Sequence, residues 1–258
     1  MRKTITLFSL LFVMVVSMSI FDLSYSQGVT TSAINGLIVD DQNNPLPAAN
    51  VIAVHEPSGT TYGAASRANG RYTIPGMRVG GPYTISVSYV GFEKQSRSNV
   101  YLNLGVATDV DFVMTTKGIQ TEEVTIVGQR NAIFSSERTG ASTSIDISNI
   151  KVLPTISRRI GDLTRLSPFA GNGGAFAGQD NRLNNITVDG SYFNNSFGLA
   201  GQPGDRTGVA PISLDAIEQV QINVAPYDVR QGNFVGAGVN TVTRSGNNEF
   251  SGSVYYNY

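Results

Sequence analysis

The sequence predicts a mainly β protein, and three observations carry that expectation. The 258 residues include 28 glycines, more than the roughly 7% of an average protein. Charged residues make up only 14%, against the roughly 25% that is usual. Short runs rich in Thr, Val, Ile and Tyr alternate in polarity with a period of two, separated by Asn, Asp, Gly and Pro. Together these predict strands and turns in place of long helices. The 18 basic and 19 acidic residues balance to a net charge of −1, which argues against nucleic-acid binding, since that needs a basic stripe. There is no cysteine, so disulfides, thiolate metal ligands and thiol nucleophiles are excluded together.

The first element is a segment with the marks of an export signal. Arg2 and Lys3 precede the apolar run from Ile5 to Val16, and small residues fall at Ser24 and Ser26. The run is shorter than the roughly 20 residues a membrane-spanning helix needs. Cleavage before Gln27 is expected, leaving residues 1–26 as a signal peptide.

Residues 27–116 are expected to form a seven-stranded β-sandwich. Ile34 to Asp40 reads as a strand, and Asp41 to Pro45 as turn chemistry. Asn50 to His55 is a second strand. Thr61 to Ser66 and Arg71 to Ile74 flank Ala68-Asn69-Gly70, which reads as a hairpin turn. Tyr83 to Tyr89 alternates, with Tyr83, Ile85, Val87 and Tyr89 on one face. Val110, Phe112 and Met114 repeat the pattern near the end. All pairings are expected to be antiparallel.

Residues 117–130 change character. Glu122-Glu123-Val124-Thr125-Ile126-Val127 is a run of strand formers with acidic residues at its start, closed by Gly128. On residue pattern alone it is either a last sandwich strand, a plain linker, or an unpaired extended peptide that adds to the sheet edge of a partner.

Residues 131–246 are rich in Gly and Asn. One or two helical turns are expected over Ile160 to Leu166. Ile186 to Val188 reads as a strand ended by Asp189-Gly190. Ser213 to Glu218 reads as a short helix capped by Ser213. Val220 to Val224 and Gly238 to Arg244 are further strands. Residues 247–258 end in Phe250 to Tyr258, which alternates mostly aromatic and apolar with mostly polar positions, as the first strand of a lipid-facing barrel does.

Catalytic and metal chemistry find little support. The one histidine, His55, sits at a strand end without partners and reads as a surface or packing residue. Asp40 to Asn44 lacks the Gly and Glu of a calcium loop and reads as a tight turn. Gly171 to Gly174 has no Gly-Lys-Ser/Thr behind it and reads as a loop, not a phosphate cradle. No cofactor is expected. Tyr192, Phe193, Asn194, Asn195 and Phe197 form an aromatic and amide cluster that suits a ligand-facing loop.

Several of these motifs resemble known families. Gly36 to Asp40, Pro45 to Val51, Asn69 to Gly76 and Tyr83 to Phe92 resemble the carboxypeptidase regulatory-like domain, of carbohydrate-binding-like fold. That family brings no catalytic residues. Ile186 to Gly190, Leu214 to Val220 and Gly236 to Gly246 resemble, in order, the recurring motifs of the plug domain in TonB-dependent outer-membrane receptors. Pro226 to Gly232 with Phe234 is similar to the Oar-like, Bacteroidetes-type branch. The resemblance implies a plug over 131–246 and a TonB box at Glu122, Glu123, Val124, Thr125, Ile126 and Val127. It also implies an outer-membrane location in a Gram-negative bacterium, TonB as partner, membrane lipid around a barrel, and a chain that is the N-terminal portion of a longer receptor. The expected function is gating of energy-coupled substrate passage, with no enzymatic activity. The alternative is an exported adhesion or carbohydrate-binding surface protein without transport.

Overall fold

A computed structural model describes residues 29–117, 124–127, 141–152, 159–194, 212–228, 231–246, 250 and 252. The fold is mainly β, as the composition predicts. The expected signal segment lies outside these residues, as do Glu122, Glu123, Asn195 and Phe197 and nearly all of the expected barrel strand.

Two sheets build the first unit. One centres on β1 (Ser32–Asp40), which pairs antiparallel with β4 (Arg71–Met77) and parallel with β7 (Ala107–Asp109) and β8 (Phe112–Met114). The other runs in the order β3 (Thr60–Ala65), β2 (Asn50–His55), β5 (Gly80–Ser88), β6 (Gln95–Leu102), β9 (Val124–Val127). The inward-facing residues of both sheets close on a core that includes Ile34, Ile38, Val51, Tyr72, Ile85, Phe112 and Met114. Alternation of buried and exposed positions along β1, β2 and β4 follows directly from the two-residue side-chain period.

The structure corrects three expectations here. β3 and β4 are not a hairpin: β3 pairs with β2 and β4 with β1, so the Asn69-Gly70 turn carries the chain from one sheet to the other. The turn chemistry was legible, but the pairing is decided by which sheet each strand's apolar face can join. The pairing is not all antiparallel, because the last strands of the unit return beside the first. β7 and β8 act as one interrupted strand along β1. At the interruption Val110 N–H donates to the Asn35 carbonyl, and the Asp111 carboxylate accepts from Leu37 N–H at 2.7 Å. Finally, eight strands and not seven precede Lys117, since Gln95–Leu102 forms β6 despite its polar composition.

The second unit is a five-stranded mixed sheet in the order β10 (Ala141–Asp146), β13 (Ile217–Ala225), β14 (Gly238–Thr243), β11 (Asn185–Val188), β12 (Ser191–Tyr192). All pairs are antiparallel except β11 with β14. Two short helices, α1 (Ile147–Val152) and α2 (Ile160–Thr164), supply Ile150, Ile160 and Leu163 to a core with Phe176, Ile186, Leu214, Ile217, Val220 and Ile222. The expected helix at Ser213 is a single tight turn over Leu214–Ala216, with Ser213 Oγ accepting from Asp215 N–H at 3.3 Å. Ile217 and Glu218 already belong to β13, because Ile217 is needed in the core.

Candidate coupling segment and the junction between the units

The chain leaves the sandwich beside the start of β6. Glu93 N–H donates to the Thr115 carbonyl, Lys117 N–H donates to the Gly91 carbonyl, and Phe92 bridges Thr116. That exit brings the following residues within reach of the open edge of β6. Val124, Thr125, Ile126 and Val127 there form β9, paired in parallel with Gln95, Ser96, Arg97 and Ser98. The segment is extended, as its β-branched residues predict. It is not unpaired: it is the outermost strand of the sandwich sheet. The physical reason is that β6 would otherwise present a row of free backbone donors and acceptors.

The residues that follow β6 touch the second unit, beyond the strand's other end. Just after β6, Leu104 is completely buried, and both of its backbone groups are held by glutamines of β13. Gln219 Oε1 accepts from Leu104 N–H at 2.9 Å, and Gln221 Nε2 donates to the Leu104 carbonyl at 2.8 Å. Gln219 Nε2 further donates to Asn103 Oδ1 at 3.2 Å and to Ser144 Oγ. Residues two apart on a strand share a face, so Gln219 and Gln221 act as a clamp on the backbone of one residue, holding the peptide on either side of Leu104. The Leu104 side chain packs with Val29 and Val79, and with Val242 of β14. Sequence reading missed this pair. The signal was there in Gln219-Val220-Gln221, two long amides spaced by two in a strand otherwise bound for a core.

The proposed ligand-facing loop divides. Tyr192 is exposed at the end of β12. Phe193 packs against the second core. Asn194 is tied inward, its Oδ1 accepting from Ile186 N–H at 2.7 Å and its Nδ2 donating to Asn185 Oδ1 at 2.9 Å. Asn195 and Phe197 lie outside the described residues. Asp189 and Gly190 both take positive φ, 48° and 81°, and make the two-residue turn joining β11 to β12. The Asp189 carboxylate also accepts from Thr243 N–H at 2.9 Å and Oγ1 at 2.7 Å, closing the end of β14.

His55 is buried, with Nδ1 2.7 Å from Ser58 Oγ and its ring 4.8 Å from that of Tyr83. Burial, with Arg78 nearby, holds its pKa below the usual histidine value. The Asp40 carboxylate is filled by donors of its own turn, Gln42 N–H, Asn44 N–H and Asn44 Nδ2, and those bonds lower its pKa. An open, polar cleft of about 330 Å³ lies on the β1–β4 sheet, with Arg67, Arg71, Asp109 and Asp111 around it.

A two-sheet sandwich joined through a strand-forming segment to a mixed-sheet unit defines the class of architecture. Its first unit matches the family model of the carboxypeptidase regulatory-like domain over residues 33–115. Over 88% of its length the chain is similar to the TonB-dependent transporter Oar of Myxococcus xanthus, 29% identical over 242 residues that make up 22% of that protein. Both matches agree with the N-terminal region of a TonB-dependent receptor, and the chain spans about a fifth of the length of the curated relative it matches. Among solved structures, catechol 1,2-dioxygenase of Acinetobacter radioresistens aligns at TM-score 0.29 and 12% identity, over 39% of this chain and 58% of that one. A type II cohesin–X-dockerin complex of Acetivibrio cellulolyticus aligns at TM-score 0.27 and 19% identity, over 33% and 58%. Likeness at that level is too low to carry any chemistry across.

Proposed function

We propose that this chain is the energy-coupled gating portion of an outer-membrane receptor. In this reading the segment Glu122–Val127 is the peptide that TonB engages by β-augmentation. The 131–246 unit is the plug that responds to substrate, and the regulatory-like domain is a non-catalytic module ahead of both. The chain performs no chemical conversion of its own. The observation that carries the reading is the similarity to a TonB-dependent transporter across 88% of the chain. A strand-competent segment between two folded units supports it further.

The test is made in the full-length receptor. Val124→Pro or Ile126→Pro removes a backbone donor and blocks any strand ladder. Uptake is expected to fall by at least about tenfold, equivalent to about 1.4 kcal/mol in coupling, while substrate binding to whole cells is retained. Unchanged uptake with both variants would sink the assignment of this segment.

A further inference from the structure

We propose that the sandwich is a brace on the second unit: docked at one end of its sheet, it holds β10, β13 and β14 as they stand in this structure and so resists opening of the plug. The inference rests on the reading of 131–246 as a plug. It gives the sandwich a task that does not involve TonB.

Three observations carry it. First, the sandwich engages three strands at once. Gln219 and Val242 oppose each other in the β13–β14 ladder, and Leu104 bonds the one and packs on the other. Gln219 also donates to Ser144 Oγ of β10, so the amide that holds the Leu104 N–H ties in the neighbouring strand. A shift of these strands against one another breaks contacts with the sandwich. A surface that binds one arrangement better than another favours that arrangement by the difference in free energy. Second, the sandwich is built for a partner at this corner. A buried backbone group needs a hydrogen-bond partner. Leu104 is completely buried, and its N–H and C=O are met by side chains 115 and 117 residues further along the chain. Val29, Val79 and Leu104 form an apolar patch separate from the sandwich core, and Val242 packs against it. Third, glycines of the sandwich allow close approach. A Cβ at Gly80 would stand 2.5 Å from Glu218 Oε1, and one at Gly105 would stand 3.5 Å from Gln221 Oε1 and 3.6 Å from Gln231 Nε2. Both take positive φ, 89° and 70°, which glycine adopts without strain. Gln231 in turn accepts from Asn223, on the same face of β13 as the clamp. The sandwich therefore abuts the segment that covers the rest of that polar face.

The test alters one unit and reads the other, because coupling between two sites is reciprocal. Val29→Asp puts a charge into the apolar patch without touching the second unit. Hydrogen exchange at the β13 and β14 amides of the chain should then be at least about tenfold faster, while β1 and β2 keep their protection. Gln221→Glu keeps the shape of the side chain and removes the donor to the Leu104 carbonyl. The Leu104 and Gly105 amides, in the sandwich, should exchange faster by a similar factor. If the effect of either change stays within the unit that carries it, the brace is wrong. The second arm uses the full-length receptor in cells without TonB. Both variants should let in vancomycin, a large hydrophilic antibiotic, read as a lower inhibitory concentration than with the unsubstituted receptor. A receptor lacking 131–246 is the control. If the control leaks and the variants do not, the brace falls and the plug reading stands. If the control does not leak either, the plug reading falls, and the brace with it.

Discussion

The sandwich and the second unit are held together by different means. The sandwich core is apolar, and its largest buried side chains, Tyr72, Tyr83 and Phe112, fill the space between two sheets. Two of its buried hydroxyls, those of these tyrosines, donate to backbone carbonyls: Tyr72 to that of Val110 at 2.6 Å and Tyr83 to that of Arg78 at 2.9 Å. The second unit buries a smaller apolar cluster and, beside it, Asn184, Asn185, Thr187, Gln219, Gln221, Asn223, Asn240 and Thr241. Many of these amides bind one another or distant backbone, as in Thr187 Oγ1 to Asn240 Oδ1 at 2.7 Å and Asn184 Oδ1 from Ala237 N–H at 3.0 Å. The contrast teaches that one unit is specified by volume and the other by hydrogen-bond pairing. Apolar packing tolerates small shifts, whereas a buried amide is costly as soon as its partner moves away.

The largest expected effect is a cavity in the sandwich. Tyr72→Ala should destabilise that unit by about 3–5 kcal/mol, the range for removing a large buried aromatic, read as a lower urea midpoint by circular dichroism. Tyr72→Phe keeps the volume and removes only the bond to Val110, so about 1 kcal/mol is expected. If the two variants cost the same, the volume argument for the sandwich is wrong.

Next comes the junction. Gln219→Leu leaves the Leu104 N–H buried without an acceptor, an expected cost of about 1–3 kcal/mol. The Leu104 amide should also exchange with solvent faster, while amides of β1 and β2 keep their protection. Unchanged exchange at Leu104 would mean that the clamp does not join the units.

Within the second unit, Thr187→Val and Asn240→Leu form a double-mutant cycle. Each single change should cost about 1–2 kcal/mol by stranding its partner. The double variant should cost less than the sum by about 0.5 kcal/mol or more. Strict additivity would count against pairing as the organising feature of that sheet.

The smallest expected effect is the pH response of His55. Burial lowers its folded-state pKa below the unfolded value near 6.5. Between the two values the unfolded chain binds more protons than the folded one, so stability rises with pH through that window. It is fully present above about pH 6.5 and is lost as the pH falls toward the folded pKa. A thermal melt of the chain should shift down between pH 7 and pH 5, and His55→Gln should reduce the shift. An equal shift in the variant would assign the response to other groups.

How far the sequence carried differs between the units for the same reason. In the sandwich, alternation in Tyr83-Thr84-Ile85-Ser86-Val87 names both the strand and its buried face, because burial there follows polarity. β6 escaped notice because Gln95, Ser96 and Arg97 look like a loop, although Gln95 and Ser96 are buried. In the second unit, Asn184, Gln219 and Asn240 have the polarity of a surface and the burial of a core. Only their partners, contributed by residues far along the chain, make that tenable.

The amino-acid sequence by itself determined the β character, the strand-forming nature of Val124 to Val127, and the turns at Asn69-Gly70 and Asp189-Gly190. These are properties of local backbone preference and two-residue periodicity. Only the tertiary structure decided which strands pair, that β9 closes the edge of β6, and that two glutamines of β13 grip Leu104. Pairing and docking depend on which backbone donors and acceptors are left open once the chain has folded. No stretch of sequence records that, because both partners must first be brought together.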